Sequence, residues 1–114
     1  LTEAESIVVA ALERCRTSPG NARSVARAVV AAEADGLSGH GLSRVASYAA
    51  QARVGKVDGF ATPAATRARA GVLAIDAAHG FAYPALDLAV AELPSMVRHQ
   101  GLAAAAIRRS HHAG

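Results

Sequence analysis

The scarcity of aromatic side chains limits the folds that this chain can adopt. Its 114 residues include two Phe, two Tyr and no Trp, although 52% of them are hydrophobic. The core must therefore be built from Ala, Val, Leu and Ile, and these smaller side chains suit closely packed helices better than a broad β-sandwich. A chain of this length is sufficient for one domain with one modest core.

The distribution of charge argues against one common class of partner. The formal net charge is +3, but acidic residues interleave with basic ones along the whole chain. Because no stripe of Lys and Arg with stacking aromatics is present, we do not expect nucleic-acid binding.

The cysteine content and the apolar runs bear on the compartment. Cys15 is the single cysteine, which excludes an intrachain disulfide and fits a reducing compartment. Ile7, Val8 and Leu12 precede it at helical spacing, so Cys15 is expected to be a small core residue. No apolar run reaches membrane-spanning length and no signal-peptide pattern opens the sequence. We therefore expect a soluble cytoplasmic protein that does not bind a membrane.

Two helices are predicted in the first third of the chain. Thr2 and Glu5 have the spacing of a capping box, in which each side chain satisfies a free backbone N–H, and apolar residues follow at helical intervals. Ser18 is placed to cap a second helix with Pro19 in its first turn, where the missing N–H of proline costs nothing. Gly36 is the predicted stop of that second helix.

The rest of the hydrophobic pattern predicts an α/β chain. It indicates four further elements in the order helix, strand, helix, strand, at residues 42–54, 72–76, 84–100 and 102–107. Pro94 is expected to kink the last helix and Gly101 to end it. We therefore predict a helical module over residues 1–68 and, over residues 69–114, the opening strand, helix and strand of a second, incomplete domain.

His40 and Arg44 are the first candidates for chemistry. If a helix begins at His40, their spacing of four places both side chains on one face. A helix N-terminus attracts anions, an Arg fork matches a carboxylate, and a His exchanges its proton near neutral pH. The pair therefore predicts a site that holds a small carboxylic acid and moves a proton on it. The alternative is that His40 only caps the helix while Arg44 is solvated.

A second candidate is the pattern Ser110-x-His112-x-Gly114, on a polar loop that leaves the last predicted strand. A sheet that aims a polar loop in this way often carries function. The tandem His111-His112 also raises the question of a metal, but no thiolate or carboxylate cluster accompanies it, so we do not expect a metal site. The alternative is a surface loop without a role.

The junction over residues 76–84 runs from a strand through Gly80 into a helix, as dinucleotide-binding turns do. However, Gly80-Phe81-Ala82 lacks the G-x-G-x-x-G triplet, and three predicted helices precede the first strand. We therefore do not expect a Rossmann fold.

The residues of these motifs together resemble a known family. The run 33–44, Glu-Ala-Asp-Gly-Leu-Ser-Gly-His-Gly-Leu-Ser-Arg, followed by Tyr48 and Gly55, is similar to the signature of the malate/L-lactate dehydrogenase family, which lacks a Rossmann fold. The resemblance continues through residues 72–76, the turn at Gly80, the helix end at Gly101 and the closing 110–114 pattern. It therefore covers nearly the whole chain. The family includes ureidoglycolate, sulfolactate and diketogulonate oxidoreductases, and reductases of Δ1-piperideine-2-carboxylate and Δ1-pyrroline-2-carboxylate.

The resemblance implies a reaction and a set of roles. It implies a non-Rossmann NAD(P)-binding α/β domain and hydride transfer between NAD(P)H and the 2-carbon of a small 2-oxo, 2-hydroxy or cyclic 2-imino acid. His40 is implied as the acid/base residue and Arg44 as the clamp for the substrate carboxylate. Ser110, His112 and Gly114 are implied to lie on a cofactor-facing loop. A homodimer is implied as the assembly.

This sequence departs from the family pattern in two respects. The usual Ser-His-Gly is Gly39-His40-Gly41 here, which removes a potential substrate contact and favours the cyclic imino-acid reductases. Members of the family are also considerably longer, so a further catalytic carboxylate and most of the cofactor site are expected beyond Gly114. We therefore expect these 114 residues to be inactive alone. The rival interpretation is a non-catalytic helical module for association with another chain, which predicts no nicotinamide binding.

Overall fold

The first two helices form as their caps predict. The computed structural model describes residues 1–113, in which α1 spans Glu3–Glu13 and α2 spans Pro19–Ala34. The side-chain oxygens of Thr2 and Ser18 each accept a hydrogen bond from the backbone N–H three residues later, at 3.1 and 3.3 Å. Each such cap stabilises a helix by about 1 kcal/mol. The N-cap roles predicted for Thr2 and Ser18 are confirmed.

The third helix begins later than predicted. Two 3₁₀ turns, Ser38–His40 and Leu42–Arg44, precede α3, which spans Val45–Arg53. Gly41 separates the two turns and continues neither of them. His40 and Arg44 consequently lie in different turns of tighter pitch, and the α-helical spacing inferred from the sequence does not apply to them.

The core of the helical part is built mainly of small aliphatic side chains, but its largest members are aromatic. Tyr48 and Phe81 are the largest fully buried side chains, and neither was predicted to be in the core. Ile7 was predicted on an apolar helix face and is instead 64% exposed. Cys15 is only half-buried, so its assignment to the core is wrong. The aromatic rings fill the core where the helices meet the later part of the chain.

A three-stranded sheet follows the helices. Its strands are β1 (Ala64–Arg69), β2 (Val72–Asp76) and β3 (Ala104–Arg108), in that spatial order. β1 and β2 are antiparallel, with a bulge between Arg67 and Arg69, whereas β2 and β3 are parallel. β1 was not predicted as a strand. All six of its residues are exposed, so no alternation of buried and exposed side chains marks it in the sequence.

Helix α4 (Ala82–Gln100) connects the two parallel strands and covers one face of the sheet. Leu73 and Ile75 of β2 are buried against it, together with Ala85 and Met96 of the helix itself. α4 is assigned as one continuous helix across Pro94, and it ends at Gly101, whose φ of 77° suits glycine as predicted. None of the helices in residues 1–113 combines the length and the apolar character that crossing a membrane requires.

Polar contacts join α2 to α4. The Ser24 hydroxyl donates to Asp87 at 2.5 Å, and Arg27 Nη2 donates to the same carboxylate oxygen at 2.9 Å. These bonds connect the helical part of the chain to the strand–helix–strand unit. The predicted boundary between residues 68 and 69 falls within β1, and the division into two domains stays a prediction.

Gly41 allows the end of α2 to pack closely against the turn that carries His40. A Cβ at Gly41 would lie 3.0 Å from both Cα and Cβ of Glu33, and still closer to its carboxylate. The Glu33 Oε2 atom is buried and accepts no hydrogen bond from residues 1–113. The glycine is therefore required by space at this position.

We expect Gly41→Ala to destabilise the protein, because a new methyl group would force either the Glu33 backbone or the Gly41 turn to move. Such overpacking typically costs about 1–3 kcal/mol. Urea unfolding followed by circular dichroism measures the change. Gly39→Ala is the matched control, since no atom lies within 4 Å of a Cβ built there. Equal urea midpoints for the two variants would show that the contact with Glu33 is not restrictive.

Candidate functional site

The closing loop leaves β3 beside the turn that follows β2. The His79 N–H donates to the Arg109 carbonyl at 2.8 Å, and the His111 N–H donates to the Gly80 carbonyl at 3.0 Å. The loop predicted to leave the last strand is therefore present, and main-chain hydrogen bonds hold it at the carboxyl ends of β2 and β3. Gly114, predicted to be part of this loop, lies outside the described residues.

Asp76, the last residue of β2, binds both the turn that follows β2 and the closing loop that follows β3. Its two oxygens accept hydrogen bonds from Nε and Nη2 of Arg109, at 2.9 and 2.7 Å, and one of them also accepts from the Ala78 N–H at 2.9 Å. The Arg109 hydrogen bonds, followed by the Ala78 N–H, lower the pKa of Asp76 to about 2. Asp76 is therefore a carboxylate at any pH at which the protein would be studied.

The His111 ring packs edge-on against two buried aromatic rings. Its centroid is 5.3 Å from that of Tyr48 and 5.9 Å from that of Phe81, with interplanar angles of 81° and 90°. Its Nε2 lies 2.9 Å from Gln51 Oε1. Because that oxygen only accepts hydrogen bonds, Nε2 carries the proton and Nδ1 is an acceptor. Nδ1 is buried and has no partner within residues 1–113.

The environment of His111 favours its neutral form. Burial, followed by the charges of His112 and Lys56, lowers the pKa of His111. The neutral ring fits the geometry, since a second ring proton would leave two buried N–H groups to satisfy instead of one.

Tyr48 is the centre of a cluster of five rings that joins α3 to the closing loop. Besides His111 and Phe81, it contacts Tyr83 and His112, at centroid distances of 6.4 and 6.0 Å. The rings of His111 and His112 are 4.2 Å apart. We refer to Tyr48, Phe81, Tyr83, His111 and His112 as the ring cluster.

Two hydroxyl groups lie in the ring cluster. The Tyr48 and Tyr83 oxygens are 3.4 Å apart, so one donates to the other. Burial and this hydrogen bond raise the pKa of Tyr83, whereas the nearby charge of Arg44 lowers it. Tyr83 is therefore a neutral donor at ordinary pH, and Arg44 is close enough to influence it.

Arg44 is half-buried, and a backbone carbonyl holds its side chain at Nε. Its Nε donates to the Gly39 carbonyl at 2.6 Å. Its two Nη atoms make no hydrogen bond or ion pair within residues 1–113. An Arg held at Nε with a free pair of Nη donors is suited to binding an oxyanion.

The structure does not bring all predicted site residues together. His40 is exposed, and no hydrogen bond joins its side chain to Arg44 in the described part of the chain. His112, in contrast, is exposed at the edge of the ring cluster, and the Ser110 hydroxyl next to it donates to the His111 carbonyl at 2.7 Å. The predicted loop is thus close to α3, whereas within residues 1–113 the His40 side chain makes no hydrogen bond or ring contact with either of them.

Sequence reasoning assigned no role to Tyr48, Gln51 or Asp76, and it considered His111 only as a metal ligand. Tyr48 follows Arg44 by four residues, which was the one local signal available. No three metal-ligating side chains converge among residues 1–113. A cavity of about 160 Å³ lies beside the ring cluster and is lined by Lys56, Val57, His79, Arg109, Ser110 and His111.

The lowered pKa of His111 predicts a loss of stability in mild acid. Because this pKa lies below the ordinary value of 6.5, the unfolded chain binds a proton first as the pH falls. The contribution of His111 is therefore complete above pH 6.5 and decreases as the pH falls from there towards the folded-state pKa. His111→Gln retains an N–H donor for Gln51 but cannot titrate.

We expect the wild-type protein to lose more unfolding free energy than His111→Gln between about pH 7.5 and pH 5.5, as measured by urea denaturation. His99→Gln is the control, because His99 is exposed on α4. If His111→Gln and His99→Gln showed the same dependence as the wild type, His111 would not titrate abnormally.

Comparisons with known proteins identify the family. A family model described as malate/L-lactate dehydrogenase matches residues 1–114. The chain is 46% identical over 114 residues to an NADP(+)-dependent (2R)-3-sulfolactate dehydrogenase of Chromohalobacter salexigens, covering all of this chain and 34% of that protein. It is 40% identical over 111 residues to a Δ1-pyrroline-2-carboxylate/Δ1-piperideine-2-carboxylate reductase of Pseudomonas putida, covering 97% of this chain and 33% of that protein. The chain thus spans about a third of the length of these relatives.

Solved structures show the same fold. The crystal structure of Δ1-piperideine-2-carboxylate reductase from Pseudomonas syringae pv. tomato superposes with a TM-score of 0.92 at 34% identity, over 96% of this chain and 33% of that one. Malate dehydrogenase from Pyrococcus horikoshii superposes with a TM-score of 0.87 over 97% of this chain and 32% of that one. Because the two sequences are only 22% identical, this similarity supports the fold alone. The mixed α/β class predicted from the sequence is confirmed. The chain belongs to the malate/L-lactate dehydrogenase family.

Proposed function

We propose that the protein encoded by the full reading frame is an NAD(P)H-dependent oxidoreductase. It transfers a hydride to or from the 2-carbon of a small 2-oxo, 2-hydroxy or cyclic 2-imino acid. The observation that carries this proposal is the ring cluster, which holds His112 beside Tyr48, four residues along the chain from Arg44 and its free donors. The sulfolactate dehydrogenase and the pyrroline-2-carboxylate reductase described above support the reaction class.

The described residues fit one edge of a nicotinamide cofactor, which supplies the hydride when it is bound. The buried Nδ1 of His111 lacks a donor, and the carboxamide of a nicotinamide is a donor of the required kind. No glycine-rich G-x-G-x-x-G turn is present in the sequence to bind its phosphates. We therefore assign Ser110, His112 and Gly114 to the nicotinamide side of the cofactor site, and the phosphates to other parts of the enzyme.

Arg44 binds the substrate carboxylate in this proposal. Its free Nη pair offers two parallel N–H donors, and its Nε bond to Gly39 orients the group before the substrate arrives. The Tyr83 hydroxyl is close enough to this guanidinium for its charge to lower the pKa of Tyr83, against the larger effect of burial, which raises it. A preoriented donor pair loses less conformational entropy on binding than a mobile one.

The proton that accompanies the hydride comes from a histidine. His40, exposed two residues before the turn that carries Arg44, is the residue that the family resemblance indicates. His112 is the alternative, because it is the exposed histidine that contacts Tyr48. His111 is unsuited, since its Nε2 proton is engaged by Gln51 and its environment favours the neutral form.

The motif Gly39-His40-Gly41 favours a cyclic 2-imino acid as the substrate. A glycine at position 39 removes a hydroxyl that could contact the substrate, and no atom lies within 4 Å of a Cβ built there. The structure thus has room for the serine that this chain lacks. Relatives named as reductases of Δ1-pyrroline-2-carboxylate and Δ1-piperideine-2-carboxylate are consistent with this assignment.

A cytoplasmic homodimer completes the proposal. The single, unpaired Cys15 fits a reducing compartment. Leu86, Val90 and Val97 form an exposed apolar stripe along α4, which is suited to association. The helical module over residues 1–68 would carry the Gly-His-Gly motif, and residues 69–114 would begin the cofactor and substrate domain.

Binding of a nicotinamide cofactor distinguishes the proposed oxidoreductase from the alternative, a non-catalytic helical module for association with another chain. A fluorescence titration of the full-length protein with NADPH and NADH should show saturable binding of at least one cofactor. A non-catalytic helical association module predicts none.

We expect Arg44→Ala to raise the KM for Δ1-piperideine-2-carboxylate about 10- to 100-fold, because a charge-assisted hydrogen bond of this kind contributes about 1.5–3 kcal/mol. Steady-state kinetics with that substrate and with pyruvate measures the effect. Arg53→Ala is the matched control, an exposed Arg at the other end of α3. An unchanged KM in Arg44→Ala would exclude the clamp role.

His40→Asn should lower kcat about 10²- to 10⁴-fold, the usual range for general acid–base catalysis, and should leave NADPH affinity near the wild-type value. The change in kcat with pH that reflects protonation of this histidine should be absent in the variant. His112→Asn is measured in parallel. Full turnover in His40→Asn, combined with a defect in His112→Asn, would transfer the proton-donating role to His112.

A further inference from the structure

Asp76 was given no role in binding or chemistry above. Its carboxylate nevertheless connects the turn after β2, at Ala78, to the closing loop, at Arg109. We propose that Asp76 is a positioning residue: through its two-point contact with Arg109 it fixes the backbone from which His111 and His112 reach the ring cluster. Its effect on turnover rests on the proposed function. Its effect on the placement of the two histidine rings does not.

The geometry of the contact restricts Arg109 strongly. Both carboxylate oxygens bind the guanidinium through different nitrogens, so the side chain is fixed in orientation as well as in position. Arg108 is only 3.6 Å from the same carboxylate and has no hydrogen bond with it, so the strong partner is Arg109. Arg109 is adjacent to Ser110 and two residues before His111, and fixing it limits the directions that the loop can take.

The backbone on both sides of this contact adopts a conformation that side chains other than glycine disfavour. Ala78 and His79, in the turn after β2, have φ of 52° and 64°, and Arg109 has a φ of 51°. Such residues are uncommon in the left-handed region and persist when surrounding contacts compensate. Asp76 provides that compensation at both places, since it binds the Ala78 N–H and the Arg109 side chain.

The two strained segments are also bonded to each other. The His79 N–H donates to the Arg109 carbonyl, and the loop then continues to His111, whose N–H donates to Gly80. Asp76 is therefore a side chain that both segments share, beside the main-chain bonds and the contact of 3.4 Å between Arg109 Nη1 and His79 Nε2. Without its charge, Nε and Nη2 of Arg109 lose their strong acceptor. The loop then keeps its main-chain bonds, its ring contacts, the Arg109–His79 contact and the His111–Gln51 hydrogen bond.

The solvent exposure of the Asp76–Arg109 pair indicates that it positions the loop locally and adds little to the stability of the whole protein. The side chain of Asp76 is 22% exposed and that of Arg109 is 49% exposed. Ion pairs that are this accessible contribute little to global stability. Removing the contact should therefore change the loop more than it changes the unfolding transition.

The test compares Asp76→Asn and Arg109→Lys with Asp87→Asn in the full-length protein. Arg109→Lys keeps the positive charge and loses the fork. Asp87→Asn is the matched control, because Asp87 also pairs with an Arg, on the α2–α4 contact away from the loop. Selective ¹³C labelling of histidine gives the ring signals and titration midpoints, with His111 and His112 assigned from single Gln variants.

We expect the His111 and His112 ring signals to move in Asp76→Asn and in Arg109→Lys, while those of Asp87→Asn coincide with the wild type. The His111 midpoint should rise in Asp76→Asn, because the ring is less buried and burial is the main cause of its lowered pKa. With the substrate saturating, kcat should fall at least tenfold in both loop variants, and their thermal unfolding should change no more than that of Asp87→Asn.

Unchanged signals and midpoints for His111 and His112 in both loop variants would overturn the proposal. If Asp76→Asn does not fold, Arg109→Lys alone decides, since it leaves the carboxylate and the Ala78 bond in place. Displaced ring signals in a protein whose wild type shows no nicotinamide-dependent turnover would support the positioning role and reject the proposed function.

Discussion

The packing of four rings against Tyr48 is the contact on which the candidate site depends. Tyr48 is fully buried on α3, and two of its partners come from the closing loop after β3. Aromatic pairs of this kind contribute about 0.5–1.5 kcal/mol each beyond the area they bury. In a chain whose core is otherwise aliphatic, this group of rings determines how the helices meet the sheet, and therefore how far Arg44 is from His112.

Hydrogen bonds at two other places support the same junction. Asn21, near the start of α2, donates to the carbonyls of Gly59 and Ala61 at 3.0 and 2.8 Å. Asp87 of α4 accepts from Ser24 of α2. Together with the ring cluster they attach the irregular segment, the crossover helix and the closing loop to the helices. The site is consequently located where connections between distant parts of the chain converge.

The sequence is informative where local chemistry decides the structure. Caps, Pro19 and the terminal glycines specify α1, α2 and the end of α4, because each acts within one turn of the chain. β1 escapes prediction, since a fully exposed strand carries no burial pattern. The role of His111 escapes it as well, because its partners Tyr48 and Gln51 are sixty or more positions away. His40 and Arg44 were identified by residue type, but two 3₁₀ turns replace the helical geometry expected for them.

The separation in sequence between α3 and the closing loop has a consequence for the order of assembly. Helices α1 and α2 are neighbours along the chain and pack with little loop closure, whereas the parallel pairing of β2 with β3 must wait for the whole of α4. During synthesis, Tyr48 leaves the ribosome long before His111 does. The aromatic surface around Tyr48 is therefore exposed in the nascent chain for as long as it takes to translate about sixty further residues, roughly 3–12 s at bacterial and eukaryotic elongation rates. Until the closing loop arrives, that surface is available for contacts that the folded protein does not make.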